Sequence, residues 1–408
     1  MSILDRPLVR RSRLIGVLAL SQIIGWGTTF DMPGVMGRHM APDVGLTLSV
    51  SFAGLTAMML IGGLAGPSIA ALIERIGAAR VLALGSLVMA LGLAMLAEAF
   101  EPIGYFAAWT VIGVGGGLGL SMPAYASTVE REGAAARRTI GILMIFTGLS
   151  STVFWPILEA ATQAMGWRAA IWLMAGLNLF VCVPLHLFGL PKVLAVSADS
   201  PAPAGPEDAL ALTASQQRLA FVLISTFSVS CSFTTFGLAA SFLELLRAAG
   251  ASPETALWLG SIRPVLGISA RAADLLVGGR TGPVLQGMIA VLLMAAGFAL
   301  LGSGAIGLLA AFVVLYGLGA GIAAVTRAVL PLAFFPPDKF ARLSGRLALF
   351  QSVANAIAPV VFMALVESGG ASVAAAAGSA LMVVALVAAL WLKRLERGAD
   401  VTTVAPLG

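Results

Sequence analysis

Apolar residues run along this chain in long stretches that close on charged or turn-forming residues. A helix needs about 20 such residues to cross a hydrocarbon core of about 30 Å. Twelve stretches fit that requirement: Leu14–Val35, Ser49–Ile73, Val81–Ala97, Ile103–Ala126, Ile140–Met165, Ala169–Leu190, Leu219–Leu246, Ala256–Val277, Pro283–Leu301, Ala305–Phe334, Leu347–Leu365 and Ala371–Leu392. Each is far longer than the about ten residues of a barrel strand, so the pattern predicts helices. The longest polar segment, Pro191–Arg218, is rich in Pro, Ala and Ser and reads as a linker. It follows the sixth span and predicts a six-helix half at 1–190, a cytoplasmic linker at 191–218 and a second six-helix half at 219–408.

The halves repeat one another. ERIGAAR (Glu74–Arg80) closes the second span as DLLVGGR (Asp274–Arg280) closes the eighth. Gly113 and Gly117 of IGVGGG in span four match Gly317 and Gly321 of YGLGAG in span ten. Both matches lie close to 200 residues apart, the signature of an internal duplication.

Composition sharpens the picture. The chain is 59% hydrophobic and 11% charged, against about a quarter charged in soluble domains. Most of it must face lipid or other lipid-embedded helices. Cys182 and Cys231 sit inside apolar runs, so no disulfide framework is implied. The net charge of +5 is spread singly between apolar runs, which argues for membrane topology and against a nucleic-acid partner. With the N-terminus inside, nineteen Lys and Arg residues fall in inner segments, Arg271 among them, and only Arg38, Arg168 and Arg247 fall outside. Both termini are therefore expected in the cytoplasm. RPLVRRSR followed by LIGVLAL resembles a signal peptide, yet no small-residue cleavage site follows and the run continues to Val35, so it reads as an uncleaved first span.

Twelve spans arranged six plus six, a central loop and a short acid–Gly–Arg loop after the second span of each half resemble the major facilitator superfamily over essentially the whole chain. ALIERIGAAR keeps Glu74, Arg75, Gly77 and Arg80 of that loop, with Ala70, Ala78 and Ala79 where glycine and basic residues are usual. GWR, Gly166–Arg168, is a second familiar pattern. The resemblance implies an all-α membrane protein of that superfamily's fold, two six-helix bundles related by pseudo-two-fold symmetry, with substrate at the midplane between halves that rock about it. It also implies a conformational latch formed by Glu74, Arg75, Gly77, Arg80, Asp274 and Arg280; the other reading is that these residues only mark the cytoplasmic helix ends. Span four lacks the arginine of many proton-coupled exporters, and span five has Pro156 without the G-P-x-x-G-G of drug antiporters. GWGTTFDMPG, Gly25–Gly34, is similar to the monocarboxylate and oxalate/formate branch.

Within the spans, Arg263 of GSIRPVLG lies about 10 Å from the outer helix end at about 1.5 Å per residue. A mid-helix arginine costs about 2.5–3.5 kcal/mol on insertion scales, so it should face a cavity or a partner. Its planar fork can hold a substrate carboxylate, or it can form a fixed ion pair with an acid such as Asp31. Arg327 either contributes to binding or snorkels to the inner surface. Asp31 either couples proton movement to transport, pairs with Arg263, or sits wet at a helix end formed by Met32–Pro33–Gly34. Gln351 and Asn355 share a helical face and, as amides in lipid, need partners. Trp26 and Phe30 are candidates for an aromatic wall. Span seven carries Ser225, Thr226, Ser228, Ser230, Ser232, Thr234 and Thr235, which suit helix packing better than binding.

His39 and His186 lie at opposite membrane faces and cannot share a metal, and no nucleophile elbow, phosphate loop or zinc pattern is present. The expectation is a monomeric multi-pass protein of a bacterial inner membrane, without enzyme activity, cofactor or metal. It moves a small organic solute, a carboxylate, with Arg263, Gln351, Asn355, Trp26 and Arg327 as binding residues and Asp31 as proton carrier. Two other readings stay open: a proton-coupled exporter of drugs or hydrophobic metabolites, and a sensor or assembly partner that transports nothing.

Overall fold

The computed structural model describes residues 7–133, 136–193, 212–277, 282–335 and 337–404. All regular structure among the described residues is helical. The chain divides into two compact units, Met1–Pro201 and Ala202–Gly408.

In the first unit, α1 (Pro7–Thr28) and α2 (Met32–Asp43) form one long span broken at Thr29–Asp31. The expected end at Val35 is passed, because Pro33 falls in the first turn of α2, where its missing N–H costs no helical bond. The second span is α3 (Leu48–Ser51), α4 (Ala53–Leu64) and α5 (Gly66–Ile76), and α6 (Ala78–Ala97) is the third. The fourth is split at Leu120 into α7 (Pro102–Gly119) and α8 (Ser121–Glu132). After α9 (Ala136–Gly148), α10 (Ser150–Leu177) runs on through π-helical turns at Asn178–Cys182 and Leu185–Gly189.

The second unit opens with α11 (Ala214–Ala248), closed at its start by a capping box of Thr213 and Gln216. That box starts the helix inside the segment expected as linker; residues 194–211 of the linker lie outside the described residues. There follow α12 (Pro253–Val277), α13 (Pro283–Gly302), α14 (Leu309–Phe334) and α15 (Pro337–Val404). Eight helices among the described residues are long and apolar enough to cross a membrane, and a bent pair, Leu48–Leu64 with Ser68–Ile76, makes a ninth. Two of the eight cover two expected spans each, broken at Gly166 (φ 78) and Gly370 (φ 66), left-handed conformations that glycine adopts without Cβ strain. The α12 helix is not among the apolar set; it carries arginines.

The duplication is legible in the packing. Gly62 lies against Gly113 and Gly117, and Gly267 lies against Gly317 and Gly321. Gly115 meets Met89 as Gly319 meets Met294. The left-handed glycines Gly166 and Gly370 obey the same register, which is 204 or 205 residues throughout. Absence of a side chain at Gly267, Gly317 and Gly321 lets α12 and α14 touch backbone to backbone, the close approach that small residues permit in membranes.

Candidate functional site

In the second unit α11, α12 and α14 pack on one another. Contacts of Gly317 with the Arg263 carbonyl and of Gly321 with Gly267 show that α12 and α14 run in the same direction. Arg263 is therefore level with Tyr316. Its guanidinium lies 5.0 Å from the centre of the Phe242 ring, a cation–π contact, and it stands beside the Tyr316 phenol together with Thr235. That phenol donates to the Thr234 carbonyl at 3.3 Å. Tyr316, Phe242, Phe298 and Phe312 form a buried aromatic cluster with centroids 5.6–6.0 Å apart, which fixes the floor beneath Arg263.

About two turns further along α12 and about three along α14 a second level follows. Arg327 of α14 lies within electrostatic reach of Arg271 of α12, of Cys231 in α11 and of Tyr316. Counting placed Arg271 among inner-loop residues; it lies inside α12, half-buried. Next to Cys231, the Ser232 hydroxyl donates to Asn355 Oδ1 at 2.5 Å, tying α11 to α15. Gln351, one turn before Asn355, is half-buried. Arg263, Arg327 and Asn355 thus come together in one unit, joined by Tyr316, Phe242 and Arg271, which the sequence reading did not select. The polar run of span seven supplies Thr234 and Thr235 beside Tyr316, and Ser232 as the partner of Asn355.

The first unit holds the other candidates. Asp31 is 5% exposed. Its Oδ2 accepts from the Ser150 hydroxyl at 2.6 Å, and its carbonyl accepts from the Trp155 indole at 3.1 Å. The wet helix end is thereby corrected: the chain continues as α2 for three more turns and leaves Asp31 inside, at a break. Trp26 donates to Ser121 Oγ at 3.3 Å and meets Phe30 edge-on at 5.6 Å. Gln22, 1% exposed, donates to the Gly119 carbonyl at 3.0 Å, so its amide serves the backbone acceptor released where α7 ends.

Around the corner between α5 and α6, Glu74, Arg75 and Arg80 are exposed, and none makes an ion pair among the described residues. Gly77, with φ 82, forms the corner between α5 and α6. The Asp274 side chain and all of Arg280 lie outside the described residues. A carboxylate does hold the start of α6, and it is Glu130, whose Oε1 accepts from Ala78 N–H at 2.9 Å, a favourable place for negative charge. Beside it Arg131 donates to the Pro191 and Ser127 carbonyls at 2.8 and 3.0 Å. Among the described residues no group of three or more His, Cys, Asp or Glu side chains could hold a metal ion.

These are the features of a multi-pass helical membrane protein with polar groups gathered inside each unit. The family model described as Major Facilitator Superfamily matches residues 14–215. Among solved structures, the chain is similar to a bacterial homologue of the human lysosomal transporter Spinster, in an inward-facing and occupied conformation, at 13% identity, covering 95% of this chain and 97% of that one with a TM-score of 0.72. It is similar to a POT peptide transporter in complex with sulfate, at 14% identity, 94% and 95% coverage and a TM-score of 0.73. A third is a POT family transporter in complex with 5-aminolevulinic acid, at 14% identity, 94% and 96% coverage and a TM-score of 0.67. No curated relative matches the chain. The match places residues 14–215 in the major facilitator superfamily, and the chain as a whole carries the fold of these transporters.

Proposed function

We propose that this protein is a secondary transporter that carries a small organic anion, a carboxylate, across a bacterial inner membrane by alternating access coupled to protons. The observation that carries this reading is Arg263. The duplication acts as an internal control: in the 205-residue register its counterpart is Met58, an apolar residue 4% exposed. Helix packing of this design therefore has no need of a cation there. A guanidinium kept at mid-helix despite its cost in lipid, over an aromatic face and next to a phenol, is suited to bidentate capture of a carboxylate. Arg327 and the Asn355–Ser232 pair extend the polar wall, with Gln351 one turn away. Within the first unit Trp26, beside Ser121 and Phe30, is the binding candidate. Asp31 carries the proton: it is buried, bonded to Ser150 and placed at a helix break. Both termini are cytoplasmic, on the asymmetry of Lys and Arg. Glu74, Arg75 and Arg80 make no ion pair among the described residues and, with Gly77, lie at the cytoplasmic ends of α5 and α6, available for the latch that the superfamily resemblance implies.

Counterflow in proteoliposomes tests the reading. Liposomes preloaded with an unlabelled carboxylate should take up the labelled one, and Arg263→Gln should reduce exchange by at least about tenfold, as expected when a charged hydrogen bond is lost. A sensor binds without exchanging. An exporter of hydrophobic compounds has one observation in its favour: a groove of about 790 Å³ between α11 and α15, lined by Phe221, Val222, Thr226, Phe350, Val353 and Ile357. Exchange of lipophilic cations, unaffected by Arg263→Gln, would favour it.

A further inference from the structure

We infer that Arg271 and Arg327 form a second anion subsite beyond Arg263, and that the transported substrate therefore carries two acidic groups. This deepens the anion reading of Arg263 and rests on it. The Nε–H groups of Arg271 and Arg327 are shielded from solvent and have no hydrogen-bond acceptor among the described residues. Neither guanidinium makes an ion pair among the described residues. Among the described residues the acids of this unit are engaged or exposed: Glu244 pairs with Arg247 at 2.8 Å, Glu396 with Lys393 at 2.7 Å, Glu254 accepts from Ser252 at the start of α12, and Glu367 is exposed. Two cations thus lie within electrostatic reach of one another on adjacent helices that the Gly267–Gly321 contact holds together.

Shielded like charges with unmet donors are costly, and an anion between them relieves both the repulsion and the unmet donors. The internal control repeats here: in the same register the counterparts of Arg271 and Arg327 are Gly66 and Pro123. At these positions the first unit's equivalent helices carry no charge. Arg263 and Arg271 are eight residues apart, about 12 Å along the axis. One carboxylate cannot serve both levels; two joined by a short carbon chain can, with Tyr316 at the Arg263 level and within electrostatic reach of Arg327.

Equilibrium binding to the purified full-length protein tests this, using butanedioate and pentanedioate against butanoate and pentanoate. The dicarboxylates should bind about tenfold or more tighter, the scale of one further charged contact. Arg271→Gln and Arg327→Gln should each bring dicarboxylate affinity down to the monocarboxylate level, a larger loss than the monocarboxylates suffer, while Arg263→Gln weakens both alike. Arg271→Lys and Arg327→Lys keep the charge if the neutral variants fold poorly; they lose the planar fork and should still weaken the dicarboxylates selectively. If mono- and dicarboxylates bind equally and the Arg271 and Arg327 variants change nothing, these arginines are interfacial anchors and the inference fails, while dependence on Arg263 keeps the transport reading intact. If the parent binds no carboxylate, or Arg263→Gln has no effect, the transport reading itself fails. Asp274 lies three residues along α12; if Asp274→Asn raises dicarboxylate affinity, Arg271 belongs to that acid and the subsite is overturned.

Discussion

Arg263 and Asp31 illustrate how a single ionisable residue inside a membrane helix is made tolerable by different means. Arg263 has an aromatic ring under its guanidinium and a phenol beside it. Asp31 sits where α1 stops and α2 starts, its carboxylate accepting the short bond from Ser150. Replacing Asp31 by Asn keeps an acceptor for Ser150 and removes the ability to ionise. Carboxylate exchange by counterflow should then persist near parental rates, whereas uptake driven by an imposed proton gradient should fall to background. Loss of both, with the folded protein retained, would show that Asp31 binds substrate or holds the break instead of carrying a proton. Arg263 and Asp31 were legible in the sequence as candidates because charges in apolar runs stand out. Arg271 was not, since its place six residues before the end of α12 looks like an inner anchor until the Arg327 side of the level is seen. Tyr316 and Phe242 were silent for the opposite reason: an aromatic in an apolar run carries no signal until its neighbours are known.

At the scale of elements, the twelve apolar runs sufficed to locate the spans, and the duplicated loop and glycine motifs sufficed to see the repeat. The breaks were harder. Leu120 interrupts the fourth span, and the only hint was Pro123, three residues on, in the first turn of α8, where proline is tolerated. The Gln22 amide that serves the released Gly119 carbonyl comes from nearly a hundred residues away, a distance no local pattern reports. Glu130 capping α6 was invisible on the same ground, whereas Glu74, selected by its motif, is exposed. The best measured test of element packing is Gly321. A Cβ there would collide with Gly267 backbone, which cannot rotate away. Gly321→Val should destabilise the protein by about 1–3 kcal/mol, the usual cost of overpacking, seen as a lower unfolding midpoint in detergent. Gly307 has open space around its Cα, so Gly307→Ala should leave the midpoint nearly unchanged. A Gly321→Val midpoint equal to the parent's would mean that α12 and α14 are not held by backbone contact.

Across the whole molecule the duplication separates what the fold needs from what function adds. Both units use the same glycine contacts and the same left-handed turn, so these belong to the architecture. The three arginines occur in the second unit only, opposite Met58, Gly66 and Pro123. The central claim is that the cation at Arg263 recognises an anionic substrate. Its most direct test is the thermal unfolding of the purified parent and of Arg263→Ala against a panel of small carboxylates, cations and hydrophobic drugs. A ligand that binds only the folded state raises stability by about 2.7 kcal/mol at a hundred times its Kd, a readable shift in midpoint. Carboxylates should raise the midpoint of the parent and leave that of the Arg263→Ala variant unmoved. Stabilisation by cations or drugs alone, or an equal response of parent and variant to carboxylates, would contradict the claim.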